Sequence, residues 1–297
     1  LFIMRIRLIA ASVLLTVLAG CASHPTPTPG VLAPDSAQPI VSESNNTLDA
    51  TLWMQQSAEY EAVLLGSYTL ARQQLDLALA DPNWDAMPTG ERKVPASGLS
   101  PAVIADADET LLDNSAFQAR SIRAQNTDFN YAAWLSWVSE RRARALHGAL
   151  AFYRYAAEQG VSVYYVSNRD DPAERAATVD NLRALGFPVA EDGSNVMLRN
   201  DPRAPSRDKG ERRTWISERH RVLLLLGDNL GDFVDGVATS PRARHTLVER
   251  YRPRWGRQWI MLPNPAYGSW ESAILRECGE RGKTDPNGCK RDALRLQ

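Results

Sequence analysis

Three apolar runs in this chain end in polar groups whose types and spacing could do chemistry. "AVIADADET" (102–110) closes on Asp106 and Asp108 with Glu109 directly behind, "VYYVSNR" (163–169) on Ser167, Asn168 and Arg169, and "LLLLGDNLGD" (223–232) on Asp228 and Asp232. One carboxylate can attack an electrophile, and a second can move the proton that a leaving group needs. A lone carboxylate in such a place is ordinarily a helix cap or a surface turn. Asp106, Asp108 and Asp228 brought together would repel one another, so the cluster calls for a cation. Hard carboxylate oxygens without thiolate or imidazole nearby select Mg²⁺ over zinc.

These groups meet only if the runs are neighbouring strands. Residues 47–79 read as one long amphipathic helix, with Leu52, Met54, Tyr60, Leu64, Tyr68 and Leu75 at helical intervals until "DPNW" breaks it. A short strand is expected over 102–106, a helix over 130–159, a strand over 161–168 and a helix over 172–185. A weaker strand follows at 195–200, a helix at 208–219, a strong strand at 221–228 and a further one at 258–263. Strands separated by helices imply parallel pairing and right-handed crossovers, hence an α/β fold with an open, doubly wound, mainly parallel sheet. Ligands of such sheets sit at the carboxyl ends of the strands, where the polar groups lie.

The chain has 297 residues, 44% of them hydrophobic, and a formal net charge of −1, which argues against a nucleic-acid polymer as partner. Its densest basic stretch, 242–257, has no long single-sign run and reads as a solvated surface. Residues 1–21 read as a secretory signal, with Arg5 and Arg7 ahead of an apolar run from Leu8 to Ala19 that is too short to span a bilayer. Small residues before Cys21 resemble the bacterial lipobox, so a lipid anchor on Cys21 and an outer-membrane location are expected. Residues 22–46, rich in Pro, Ser and Thr, read as a mobile tether, and 47–297 as a single folded domain. Cys278 and Cys289 are an even pair in an exported chain, open to either a disulfide or two free thiols.

Asp106, Asp108 and Thr110, then Ser167, Lys209 and the run "GDNLGDF" (227–233) resemble, in order, the four motifs of the haloacid dehalogenase superfamily. The longer strings "DADETLLDNS", "YYVSNR" and "WIMLPNPAYGSWE" are similar to class C acid phosphatases, the bacterial surface lipoprotein phosphatases. The resemblance runs from about Leu52 to the region of Trp270. It implies a Rossmann-like core with a small helical cap and an N-terminal helix, and a phosphomonoesterase using Mg²⁺.

Residue by residue, the resemblance implies that Asp106 attacks phosphorus to give an aspartyl-phosphate, and that Asp108 protonates the departing alkoxide and later activates water. The Asp106 carboxylate, the Asp108 carbonyl and Asp228 would hold Mg²⁺, with Asp232 orienting a neighbouring ligand. Ser167 would donate to the phosphoryl group, and Lys209 would offset repulsion between nucleophile and phosphate, although "SRDKGERR" also reads as a solvated helix start. Asn168 and Arg169 are expected to meet the substrate. Trp134 and Tyr267 are expected to clamp a flat leaving group such as a nucleobase, nicotinamide or pyridine ring, whereas Trp137 and Trp270 read as core. Glu109 reads as structural. Phe117 and Ala107 stand where the family often has Tyr and a bulkier apolar residue. The substrate expected is a small phosphomonoester, such as a nucleoside monophosphate or nicotinamide mononucleotide. Dimerisation is left open. The alternative is a surface-binding lipoprotein that kept the fold and lost the reaction.

Overall fold

The computed structural model describes residues 47–126 and 129–296; the leader, Cys21 and the 22–46 tether lie outside the described residues. The helix expected over 47–79 is two, α1 (Leu48–Gln56) and α2 (Ala58–Ala80). Ser57 divides them. Its backbone is extended, and its hydroxyl donates to the Trp53 carbonyl at 2.7 Å while accepting from Tyr60 N at 3.1 Å, so one side chain ends the first helix and caps the second. Along α2, Tyr60, Leu64, Tyr68, Ala71, Leu75 and Ala78 form the buried stripe.

The chain continues through β1 (Ser100–Ala105), β2 (Leu112–Asp113), α3 (Ser115–Arg123), α4 (Tyr131–Ser139), β3 (Arg144–Ala145) and α5 (Ala149–Glu158). The single helix expected over 130–159 is therefore interrupted. β3 pairs antiparallel with β2, and Gly148, at φ +82°, turns the chain into α5 with a backbone that an L side chain rarely adopts. With α3 and α4 this hairpin forms the small insertion that follows β1. Then come β4 (Ser162–Asp170), α6 (Arg175–Leu185), β5 (Val196–Arg199), α7 (Gly210–Ser217), β6 (His220–Gly227), α8 (Pro241–Arg250), β7 (Trp259–Met261), α9 (Ser269–Glu280) and α10 (Pro286–Asp292).

The main sheet has the order β5-β4-β1-β6-β7, with every pair parallel. Helices cover both faces, which is why β6 is buried without a break from Val222 to Gly227 rather than alternating. On one face Val103, Ala105, Tyr165, Leu224 and Leu226 pack with α2, α5 and α6 residues such as Leu64, Phe152 and Leu182. On the other, Ile104, Val166, Met197 and Leu225 pack with Ile216, Phe233 and Trp259. A bulge at Leu223, where Ala102 pairs with Val222 and Val103 with Leu224, frees a carbonyl that the Trp84 indole takes at 2.7 Å. Among the described residues no helix is long and apolar enough to cross a membrane.

Cys278 and Cys289 form a disulfide that ties α9 to α10, with Cα atoms 5.7 Å apart. It closes a short loop, and such a bridge contributes about 2–4 kcal/mol to what it restrains. Cys289→Ser is expected to expose the chain after Glu280 to limited proteolysis while the melting temperature of the sheet changes little. Equal protease resistance in variant and wild type would show that α10 is held without the bridge.

Candidate active site

β1 and β6 are adjacent and parallel, so the residues that follow them leave the sheet side by side. Asp106 N donates to the Leu226 carbonyl at 2.9 Å, which carries the pairing one residue past the strand. After β6 the backbone must pass close to Asp232: a Cβ on Gly227 would lie 2.2 Å from Asp232 Oδ2, so only glycine fits there. Asn229 N donates to Asp232 Oδ2 at 2.8 Å, and the turn folds the Asp232 carboxylate back toward the strand ends. Asp106, Asp228 and Asp232 each present an oxygen within 4.8 Å of the others.

Lys209 is buried among them. Its ammonium donates to Asp106 Oδ1 and, at 2.7 Å, to Asp232 Oδ1. Asn264 Nδ2 donates to Asp228 Oδ2 at 2.8 Å. Burial pushes the Asp106 carboxyl up to about 7; Lys209 opposes the rise, and Asp232 and Asp108 add to it. Burial also holds Asp228 well above the usual carboxylate range, helped by Asp232 and Asp106. Three carboxylates, two of them paired with one ammonium, form an all-oxygen donor set with excess negative charge, and these residues fit a hard divalent cation.

Carboxyls raised in the fold keep protons that the unfolded chain has lost, so stability falls as pH rises between the ordinary carboxylate value of about 4 and the Asp106 value of about 7. The lowered carboxyls elsewhere, such as Asp170 and Asp201, act below that window. In EDTA the urea midpoint is expected to be lower at pH 7.5 than at pH 5, and added Mg²⁺ to raise it at pH 7.5. A flat midpoint across that range would contradict the raised carboxyls.

Lys209 is the first of three buried cations that α7 brings to the site, the others being Arg212 and Arg213, three and four residues on along one helical face. Arg213 donates to Glu91 at 2.6 and 2.9 Å, to Asp235 at 2.9 Å and to the Gly231 and Asp232 carbonyls at 3.2 Å, which fastens the turn after β6. Gly210 lets α7 come this close, since a Cβ there would lie 2.0 Å from Asp235 Oδ2. Arg212 reaches the end of β4, donating to the Ser167 carbonyl at 2.5 Å. The solvated helix start that "SRDKGERR" also suggested is therefore not what folds. The Lys-x-x-Arg-Arg spacing was the available signal, and it becomes readable only when Glu91, Asp235 and the strand ends face it.

Asp108 points away from the carboxylate cluster. Its Oδ1 accepts from Arg169 Nη2 at 2.7 Å and from Asn114 Nδ2 at 2.8 Å, and Ser167 Oγ lies 3.4 Å from its Oδ2. Arg169, expected at the substrate, is buried beside Asp108 and Thr178 and bonded to both, with the Trp134 ring 5.4 Å away. The Trp137 indole donates to Asn114 Oδ1 at 2.8 Å, which turns the Asn114 amide nitrogen toward Asp108.

Glu109 is fully buried, with φ +54°, and accepts from Asn114 N at 2.8 Å and from the Tyr267 hydroxyl. Burial raises its carboxyl, with the Asp108 and Asp228 charges adding to the effect. Tyr267 is thus tied down by its oxygen. Trp134 is tied by its indole nitrogen to Glu174 at 3.0 Å and lies edge-on to Phe117 at 5.1 Å. Trp137 is core, as expected. Trp270 is not: it is 40% exposed, because it is the second residue of α9 and its indole turns back to the Tyr267 carbonyl at 3.1 Å while the ring faces water. Glu91, Asn264, Glu174, Arg212 and Arg213 join the expected residues as parts of the site.

Comparison with known proteins agrees with this geometry. Residues 32–270 match the family described as HAD superfamily, subfamily IIIB (Acid phosphatase). The class C acid phosphatase from Bacillus anthracis is similar in structure, with 32% identity and a TM-score of 0.72 over 85% of this chain and 98% of that one. The same enzyme with tungstate bound gives 31% identity and a TM-score of 0.71 at the same coverage. Three strand-end motifs on a five-stranded parallel sheet, Lys209 at the start of α7, an aspartate cluster and this similarity agree: the chain belongs to the class C acid phosphatases of the haloacid dehalogenase superfamily and is a phosphomonoesterase.

Proposed function

We propose that the protein is a Mg²⁺-dependent acid phosphatase that hydrolyses nucleoside monophosphates, nicotinamide mononucleotide or related aromatic phosphomonoesters through an aspartyl-phosphate on Asp106. The observation that carries this reading is the Asp106 carboxylate, buried at the end of β1 and held by the Lys209 ammonium beside Asp228 and Asp232. The Asp106 carboxylate, the Asp108 carbonyl and Asp228 are proposed to hold Mg²⁺, which when bound draws negative charge off the phosphoryl oxygens and the carboxylates.

Lys209 fixes the aim of Asp106 and offsets its repulsion from the phosphate dianion. Ser167 Oγ accepts from Arg169 N at 3.1 Å, which orients the hydroxyl, and its long 3.4 Å contact with Asp108 leaves its proton available to a phosphoryl oxygen. Asp108 is proposed as general acid and then base. Both of its oxygens accept from Arg169, Oδ1 at 2.7 Å and Oδ2 at 3.1 Å, and Asn114 holds Oδ1 as well, so Oδ2, with the longer contacts, is proposed to carry the proton to the leaving alkoxide and later to draw one from water. Arg169 acts here as the group that positions Asp108. Trp134 and Tyr267, half-buried and each tethered through its polar atom, are proposed to contact a flat leaving group. Tungstate, a tetrahedral oxyanion like phosphate, is bound by the Bacillus anthracis relative, which supports an oxyanion of that shape as ligand here. Cys21 is proposed as a lipid anchor to the outer membrane.

The test is phosphate release from a nucleoside monophosphate, nicotinamide mononucleotide and an aryl phosphate across a pH series, with EDTA and then with Mg²⁺. Activity is expected to vanish in EDTA and return with Mg²⁺, highest at mildly acidic pH. Folded, Mg²⁺-loaded protein that turns over none of the three would overturn the reading in favour of a binding protein.

A further inference from the structure

Three cations are buried along one face of the α7 segment, and two of them have carboxylates. Lys209 faces Asp106 and Asp232, and Arg213 faces Glu91 and Asp235. Arg212 differs. Its side chain is 0% exposed, it forms no ion pair among the described residues, and its Nε lacks a hydrogen-bond partner. Burial pushes its guanidinium down to about 10, and the largest opposing influence is the Asp106 charge.

An ion taken out of water without a counter-ion costs several kcal/mol, so a fold that keeps one there has a use for the charge or has very good hydrogen bonds. The bonds that Arg212 makes are all to neutral acceptors, and two of them meet at the end of β4. Nη1 donates to the Ser167 carbonyl at 2.5 Å and at 3.5 Å to the Met197 carbonyl; Nη2 donates to Asn168 Oδ1 at 2.7 Å and to the Arg207 carbonyl at 3.1 Å. Because Asn168 offers its oxygen to Arg212, its amide nitrogen must face the other way, and among the described residues that nitrogen has no protein partner. Asn168 itself is exposed. The same guanidinium therefore fixes the carbonyl of Ser167 and the amide of Asn168, two consecutive residues at the carboxyl end of β4.

We infer that Arg212 is a positioning residue for the phosphoryl group: the substrate's phosphate dianion is the missing counter-charge, and Arg212 acts on it through Ser167 and Asn168 by holding the Ser167 hydroxyl and the Asn168 amide nitrogen as its donors. This rests on the phosphatase reading and deepens it. The guanidinium does not touch the substrate. Its charge polarises the strand end across one peptide group and one side-chain amide, from a guanidinium that is itself buried out of reach of water.

The experiment is calorimetric binding of inorganic phosphate to the Mg²⁺-loaded full chain, as wild type, Arg212→Met, Arg212→Lys and Asn168→Ala, with kcat, KM for an aryl phosphate and the melting temperature measured alongside. Arg212→Met, which removes both charge and fork, is expected to weaken phosphate about 100-fold, the scale of losing a preorganised donor to an anion. Arg212→Lys keeps the charge but lacks the planar fork, and is expected to weaken it about tenfold, with KM raised more than kcat is lowered. Asn168→Ala is expected to lower phosphate affinity severalfold with the melting temperature unchanged. Should Arg212→Met fail to fold, Arg212→Lys and Asn168→Ala decide. A lowered melting temperature with phosphate affinity unchanged in the folded variants would make Arg212 a clip between β4, β5 and α7 only, and would overturn the inference. Wild type that binds phosphate but turns over no ester would sink the phosphatase reading while leaving the binding comparison intact. Wild type that binds no phosphate would sink both.

Discussion

Asp106→Asn is expected to lower kcat by about 10⁴-fold or more and to leave the metal-free protein at least as stable as wild type at neutral pH. The two halves of this expectation have different causes. On the proposed mechanism an amide cannot act as the nucleophile, and Asp228 and Asp232 lie in the same cluster but at the end of a different strand, so neither can take the line of attack proposed for Asp106. Stability moves the other way because Asp106 is a charge the fold holds at a cost: burial and two neighbouring aspartates raise its carboxyl despite Lys209. The variant keeps an oxygen for Lys209 and removes one of three mutually repelling carboxylates, while Lys209 keeps Asp232 as partner. Single-turnover phosphate release and urea midpoints in EDTA at pH 7.5 check both halves. An inactive variant with a much lower midpoint would mean that the Lys209–Asp106 pair is a net stabiliser, and would overturn this expectation.

Lys209→Met should behave in the opposite sense on stability. Removing the ammonium leaves the buried carboxylates of Asp106 and Asp232 without their cation, beside the partly buried Asp228, and leaving a buried charge without its partner costs about 3–5 kcal/mol. The metal-free variant is expected to lose most of its stability margin at pH 7.5 and to regain part of it on titration with Mg²⁺, because a divalent cation bound to the folded state neutralises the same oxygens. It should also regain stability toward pH 5, where the raised carboxyls of Asp106 and Asp228 take up protons. Turnover with saturating Mg²⁺ is expected to fall about 10²- to 10³-fold, through loss of charge stabilisation and of the aim of Asp106. Denaturation curves with EDTA, with Mg²⁺ and at two pH values separate these effects. Unchanged metal-free stability at pH 7.5 would show that Lys209 is not the cation that balances the cluster.

The parts of the site legible in the sequence are those carried by the backbone of the sheet. β1, β4 and β6 are apolar because both of their faces are covered, so their ends were visible as the points where polarity begins, and Asp106, Ser167 and Asp228 follow from those ends. Helix interruptions were less visible: the apolar period runs through Ser57, and the helical composition runs on past β3, so only the side-chain cap at Ser57 and the positive φ at Gly148 reveal the breaks. The electrostatic frame was least visible. A buried arginine and a solvated one are the same letter, and Arg212 and Arg213 declare themselves only through carbonyls and carboxylates from segments distant in the chain. Arg169 is a similar case. Its place beside Ser167 suggested substrate, but its bond to Asp108 depends on the loop after β1 doubling back toward β4.

The strand order also governs how such a site can come into being. β1 emerges early, yet its two hydrogen-bonding neighbours begin only at Ser162 and His220, and the outermost strand at Trp259. Until the chain past residue 226 is available, the central strand has an edge of unpaired backbone N–H and C=O groups, and the aspartates at its end have nothing to converge with. Closing such distant contacts makes assembly slow and leaves intermediates open to association with one another. Refolding yield should therefore fall as protein concentration rises, and a chain stopped before β6 should be held by chaperones or lost to aggregates rather than accumulate as a partly active enzyme.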